Sequence, residues 1–143
     1  MAIQRFLQKL VVTAGAYSAN DVVGGLITFT GLRGGVLEAI AITDNAAQSV
    51  DYLLVLFESA PTDITDNATF DIADADLVKI IYQHTLTSAT DRQAFTDNSY
   101  HFAHNLYKRL RSAGGTIYGF LITPGTPTYA ATTDVSVMLD VDT

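Results

Sequence analysis

The chain has 143 residues, 48 % hydrophobic and only 16 % charged, enough length and apolar content for a real core. Its net charge of -7 repels nucleic acid, so neither DNA nor RNA is an expected partner. It has no cysteine, which excludes disulfides, thiol catalysis and cysteine-ligated metal centres.

The N-terminal stretch carries Arg5 and Lys9, and its apolar run Leu10-Val11-Val12 is too short for a secretion signal. No run approaches the roughly 18 apolar residues that a membrane helix needs. The expectation is a soluble protein made in the cytoplasm without export, with no membrane partner.

Phe6 to Thr13 fits a first strand, preceded by an N-terminal arm at residues 1–6. Thr13 to Asp21 is small and polar, hence a loop. Asp21 to Thr30, DVVGGLITFT, reads as a strand interrupted by Gly24-Gly25. A phosphate-cradling loop would place such glycines between strand and helix, with a lysine following; here Leu26-Ile27-Thr28-Phe29 follows. A bend or bulge in a strand is the expectation. Gly34-Gly35 and Gly114-Gly115 read as tight turns.

Gly35 to Thr43 is a weakly alternating strand, and Asp44 to Gln48 a turn. Val50 to Glu58, VDYLLVLFE, is the strongest strand, and its unbroken apolar centre suggests burial on both faces or burial against a partner. Pro61 to Asp76 is an acidic loop leading into a short helix, Asp74 to Ile81. A strand follows from Ile81 to Leu86, then a loop from Ser88 to Asn98.

Tyr100 to Leu110 fits either a helix, with Phe102, Leu106 and Leu110 on one face, or a strand; the strand-like flanks tip it toward strand. Thr116 to Thr123 is rich in β-branched and aromatic residues and reads as a strand. Pro124 to Thr133 is a proline-containing loop. Asp134 to Asp142 alternates cleanly, with Val135, Val137, Leu139 and Val141 on one face. The pattern lacks βαβ alternation and points to an all-β chain, 1–143, folded as one antiparallel β-sandwich domain with one short helix. A jelly roll is one form that such a sandwich takes.

No set of residues carries a chemical signature. Asp63, Asp66, Asp71, Asp74 and Asp76 lack the glycine and closing glutamate of a calcium loop. His84, His101 and His104 fall outside any HExxH pattern. Ser99, His101 and Asp97 are too close in sequence for a hydrolytic triad, and Ser99 lacks the GxSxG elbow. Catalytic, cofactor-binding and metal-ligating residues are therefore assigned as none, and no cofactor is expected. Lys108-Arg109-Leu110-Arg111 is the one basic cluster and reads as an ion-paired or interface edge. Asn67-Ala68-Thr69 matches a glycosylation acceptor but has no expected route to the modifying enzymes. Tyr17 and Tyr129, in loops of small residues, are candidates for contact with something outside the domain.

Three segments carry a resemblance: AGAYSANDVVGGLITF (residues 14–29), YLLVLFESAPTDITDNATFDIADADLVKII (residues 52–81) and TPGTPTYAATTDVSVMLDVD (residues 123–142). Together they cover about half of the chain and resemble small β-sandwich structural proteins of tailed-bacteriophage virions, capsid decoration or cement proteins among them. The resemblance implies a non-enzymatic protein of the capsid surface. It would bind the major capsid protein as a homo-oligomer, commonly a trimer, through loops or the N-terminal arm. Two other readings remain open. One is a carbohydrate-binding or host-recognition module of a tail or fibre, with a groove lined by Tyr17, Tyr129 or Tyr100. The other is a tail or connector protein assembled as a ring.

Overall fold

The computed structural model describes residues 2–143. It contains β1 (Ile3–Lys9), β2 (Asp21–Thr30), β3 (Gly34–Asp44), β4 (Tyr52–Phe57), a short 3-10 helix (Asp74–Lys79), β5 (Ile80–Leu86), β6 (Arg92–Ala94), β7 (Ser99–Ala103), β8 (Lys108–Arg111), β9 (Thr116–Thr123) and β10 (Val135–Asp142). All pairings are antiparallel. One six-stranded sheet runs β1-β10-β3-β7-β6, with β8 also on β3; the other runs β2-β9-β4-β5.

With the short β6 and β8 set aside, the remaining strands pair as β1 with β10, β2 with β9, β3 with β7 and β4 with β5. The first half of the chain thus lies antiparallel to the second like one long hairpin, rolled so that successive pairs alternate between sheets. That is the jelly-roll arrangement of a β-sandwich.

The inner faces meet in one core. Val135, Val137, Leu139 and Val141 of β10 are at most 1 % exposed, and Ile40, Ile42, Leu54, Leu56 and Leu121 pack with them. The four-stranded sheet is buried on its outer face too. There Val22, Val55, Phe57, Phe120 and Ile122 form a second cluster, covered by Ile64, Phe70 and Ile72 of the acidic loop. Phe70 and Phe57 each set a ring edge-on to Phe120, at 5.7 and 5.8 Å. This second cover explains the unbroken apolar runs of β4 and β9: both sides of those strands are out of water. The acidic loop is therefore an apolar lid, and of its aspartates Asp63, Asp71 and Asp74 are exposed.

Gly24 and Gly25 form the bend expected of them. Both have positive φ, 85° and 73°, and the β2–β9 register shifts between Val23 and Ile27. A Cβ on Gly24 would lie 2.7 Å from Leu10 Cβ. The bend is thus the seat on which Leu10 packs as the chain crosses from the first sheet toward the second.

That crossing corrects the first element. The strand starts at Ile3 and ends at Lys9, so residues 3–6, read as an arm, are its first half; Met1 lies outside the described residues. Beyond Lys9, Leu10 and Val12 turn inward at 6 % and 2 % exposure while Val11 is 74 % exposed. Gly34 and Gly35 are not a turn but the start of β3, between β8 and β10. A Cβ on Gly35 would lie 2.5 Å from the Asp142 carbonyl oxygen, so only glycine lets the strands approach there. Residues 99–111 are two strands, separated where Asn105 and Tyr107 take positive φ of 57° and 51°. The 88–98 loop also contains β6, which adds a short edge to β7. The predicted helix is a 3-10 turn of six residues.

Candidate functional site

The two tyrosines expected to face outward are core residues. Tyr17 is 3 % exposed and Tyr129 2 %, with rings edge-to-face at 5.3 Å. The Tyr17 hydroxyl donates to Asp66 Oδ1 at 2.6 Å and accepts the Thr13 N–H at 2.8 Å. The Tyr129 hydroxyl shares a 2.5 Å hydrogen bond with that of Tyr52, which is fully buried. Burial, reinforced by the bond to Asp66, holds the Tyr17 phenol well above its ordinary pKa; burial does the same for Tyr52 and Tyr129. Neither Tyr17 nor Tyr129 lines a surface groove.

The aspartates are largely occupied with the backbone. Asp21, Asp44, Asp51, Asp66, Asp76, Asp91 and Asp134 each accept a main-chain N–H from a loop or bend. Asp66 binds most: Thr13 Oγ1 at 2.7 Å, the Gly24 N–H at 2.7 Å and the Tyr17 hydroxyl. Asp76 takes the Thr62 N–H and an ion pair with Lys79 at 2.7 Å, and this hydrogen-bonded pair lowers its pKa. Asp63, Asp66, Asp71, Asp74 and Asp76 do not gather, and among the described residues no three His, Asp or Glu side chains form a metal-binding group.

The histidines occupy three settings. His101 is fully buried on the inner face of β7, with Nε2 2.7 Å from the Val50 carbonyl and the ring edge-on to Tyr52. His84 on β5 stacks on Tyr82 and hydrogen-bonds its hydroxyl. His104 stacks on Phe102 at 5.3 Å on the outer face. His84, His104 and Asp91 border one cleft, but Asp91 is held by the Thr87 N–H. Ser99 is buried and its hydroxyl makes no hydrogen bond among the described residues, so Ser99 and His101 are not joined as nucleophile and base; Asp97 is exposed in the adjoining loop.

Of the basic cluster, Arg111 pairs with Glu58 at 2.7 Å, whereas Lys108 and Arg109 are exposed and make no ion pair among the described residues. Asn67 of the glycosylation pattern sits in the lid with φ 63°, its amide directed to the Ala16 carbonyl at 3.4 Å.

The surface that stands out is the outer face of the six-stranded sheet. Strand register sets Leu7 beside Met138, Met138 beside Ala41 and Ala41 beside Phe102, an apolar row across four strands. Its far end broadens into a ladder of rings. Phe95 stacks on Tyr100 at 5.8 Å, Tyr100 meets Phe102 at 6.3 Å, and Phe102 stacks on His104. Phe95 is 55 % exposed and Leu7 45 %. A shallow groove of about 260 Å³ runs beside the ladder, lined by Phe95, Tyr100 and Met138 together with Thr43, Asn45 and Asn98. The Thr43 and Ser136 hydroxyls hydrogen-bond each other across this face, and Arg5 grips Asp140 with two bonds of 2.8 and 2.9 Å.

Of this surface, only Tyr100 is legible in the sequence as a contact candidate. Phe95 lies in a stretch that reads as loop, and Phe102 and His104 lie in the segment that fits either helix or strand and is tipped toward strand by its flanks. The alternation of Tyr100, Phe102 and His104 was the available signal, because alternate strand residues share a face. No protein-family model matches the chain, and no curated protein matches it.

Proposed function

We propose that this chain is a structural virion protein of the capsid-decoration kind. It binds the major capsid protein at the capsid surface through the outer face of its six-stranded sheet. The observation that carries this reading is the ladder Phe95–Tyr100–Phe102–His104 continued by the row Ala41–Met138–Leu7. A contiguous aromatic and aliphatic strip with polar borders is the composition of a protein-binding surface. The resemblance of residues 14–29, 52–81 and 123–142 to phage virion proteins supports the same reading. So does the build of the molecule, whose loops are fastened by aspartate side chains and whose acidic segment is anchored over a second apolar cluster. Jelly rolls serve in capsids and in lectins alike, so the fold supports the reading without deciding it.

The experiment is reconstitution. Purified protein is mixed with capsids that lack it, and the particles are isolated on a gradient and heated. Co-migration and a higher disruption temperature are expected; free protein at the top of the gradient would refute the reading.

A second reading, sugar recognition, is favoured by one feature: the groove sets the Phe95 and Tyr100 rings beside the side chains of Asn45, Asn98 and Thr43. Rings offer a sugar's C–H face a platform, and amides meet its hydroxyls. Glycan binding that is lost in Tyr100→Ala, without capsid binding, would establish this reading instead.

A further inference from the structure

Among the described residues β1 pairs with β10 alone, so it is a sheet edge with an open side. The other edges are short, covered or charged, as natural sheets arrange to avoid strand addition. β6 has three residues, and β8 has four, three of them Lys108, Arg109 and Arg111. The first part of β2 is bonded by the lid, through Val22 N–H to Ala68 and Asn67 N–H to Val22, and Gly24-Gly25 then kinks it. The clefts beside β5 are bordered by Arg109 and Arg111 of β8 and by His104 and Leu106. β1, IQRFLQK, has seven residues, no proline, glycine or bulge, and exposed Ile3 (64 %) and Leu7 (45 %).

The ladder reveals which of its backbone groups are free. The β1–β10 register sets Ile3 opposite Asp142 and Lys9 opposite Ser136. Just beyond its two ends, Leu10 N–H bonds the Val135 carbonyl and Thr143 N–H bonds the Ala2 carbonyl. Hydrogen-bonded pairs alternate along an antiparallel ladder. Gln4, Phe6 and Gln8 therefore turn their N–H and C=O groups to β10. Ile3, Arg5, Leu7 and Lys9 turn theirs off the edge.

A second copy of β1, antiparallel about a two-fold axis, can meet those free groups in few registers. Centred on Arg5, it faces Arg5 with Arg5. Centred on Leu7, it faces Arg5 with Lys9. Both oppose like charges. Centred on Phe6, it pairs Ile3 with Lys9 and Arg5 with Leu7, opposes no like charges, uses every free backbone group and brings the two Phe6 residues face to face. Arg5 already carries its counter-ion, Asp140, on its own chain.

We propose that β1 pairs with β1 of a second copy in this Phe6-centred register, joining two six-stranded sheets into one continuous sheet. The assembly is two-fold, unlike the three-fold one that the resemblance implies. It rests on the strand edge and not on the virion reading.

The test is the native mass of the full chain across a concentration series, with hydrogen exchange read at single amides. A dimer is expected, with the Ile3, Arg5, Leu7 and Lys9 amides protected only when it forms. Leu7→Pro removes an outward N–H, leaves the β10 ladder intact and is expected to give a folded monomer. Leu7→Lys opposes Arg5 of the other copy and is expected to weaken the dimer about tenfold, whereas Leu7→Glu retains it. A monomer at all concentrations, a trimer, a dimer with those four amides unprotected, or equal weakening by Leu7→Lys and Leu7→Glu would overturn the proposal.

Discussion

The Tyr17 hydroxyl donates to Asp66 at 2.6 Å across 49 positions of sequence, and this contact ties the loop before β2 to the lid over the second sheet. The same carboxylate accepts Thr13 Oγ1 and the N–H of Gly24, so one side chain fixes the crossing loop, the glycine bend and the lid together. Hydrogen bonds to an ionised acceptor contribute more than neutral ones, and an abandoned partner adds its own desolvation cost. Asp66→Ala is expected to destabilise the fold by about 2–3 kcal/mol. Tyr17→Phe, which also deprives the Thr13 N–H of its acceptor, should cost about 1–2 kcal/mol. Urea midpoints measured at constant slope read both.

The glycine bend gives a paired comparison. Gly24 and Gly31 share a positive φ, 85° and 81°, yet a Cβ at Gly24 meets Leu10 at 2.7 Å while one at Gly31 meets nothing within 4 Å. Gly31→Ala should therefore carry only the backbone cost, about 1–2 kcal/mol. Gly24→Ala adds overpacking of about 1–3 kcal/mol against Leu10. Equal losses in thermal or urea unfolding would mean that Leu10 is not seated on the bend.

Acid should expose His101. Its burial lowers its pKa, more than the bond to the Val50 carbonyl raises it, and nearby Arg92 lowers it further. As pH falls through about 6.5, the unfolded chain takes up a proton that the native one resists, so stability falls with pH from there. Asp44 works in the opposite direction at lower pH. Its burial raises its pKa, so the native state binds the proton first and regains stability as pH drops toward 3.8. His101→Leu is expected to flatten the loss between about pH 7 and 5 while lowering stability at neutral pH by about 1 kcal/mol, the unpaired Val50 carbonyl being the cause. Melting temperature against pH for both proteins checks this.

Much of the fold was legible where local pattern decides it. β2 and β9 have the bounds read from their β-branched and aromatic runs, and β10 differs by one residue, because its Val-x-Val-x-Leu-x-Val alternation matches one buried face. The unbroken apolar run of β4 fits burial on both faces or against a partner, and the lid over the second cluster is what makes it the former. What failed depended on distant partners. Residues 3–6 look like an arm until β10 arrives beside them. Tyr17 and Tyr129 sit among small polar residues, the neighbourhood of an exposed loop, and only Asp66 and Tyr52 make their burial possible. The aromatic ladder was missed for the same reason. Phe95 joins Tyr100 through β6–β7 pairing and a turn closed by Phe95 N–H to the Asn98 carbonyl, neither of which has a periodic signature.

The face itself should be separable from stability. Phe95 is more than half exposed, so Phe95→Ala removes little from the core and should shift unfolding by about 0.5 kcal/mol or less. If the ladder is the binding surface, the same substitution should weaken capsid attachment by about tenfold or more, as exposed aromatic anchors do. Phe95→Tyr keeps the ring and should retain it.

The most direct measurement is the affinity of this chain for capsids that lack it, compared with that of Tyr100→Ala and Phe102→Ala proteins shown to be folded by their unfolding curves. Saturable attachment of the native chain, with losses of about 2 kcal/mol or more in each variant, is the predicted result. Native affinity in both variants, or no attachment by the unaltered protein, would contradict it.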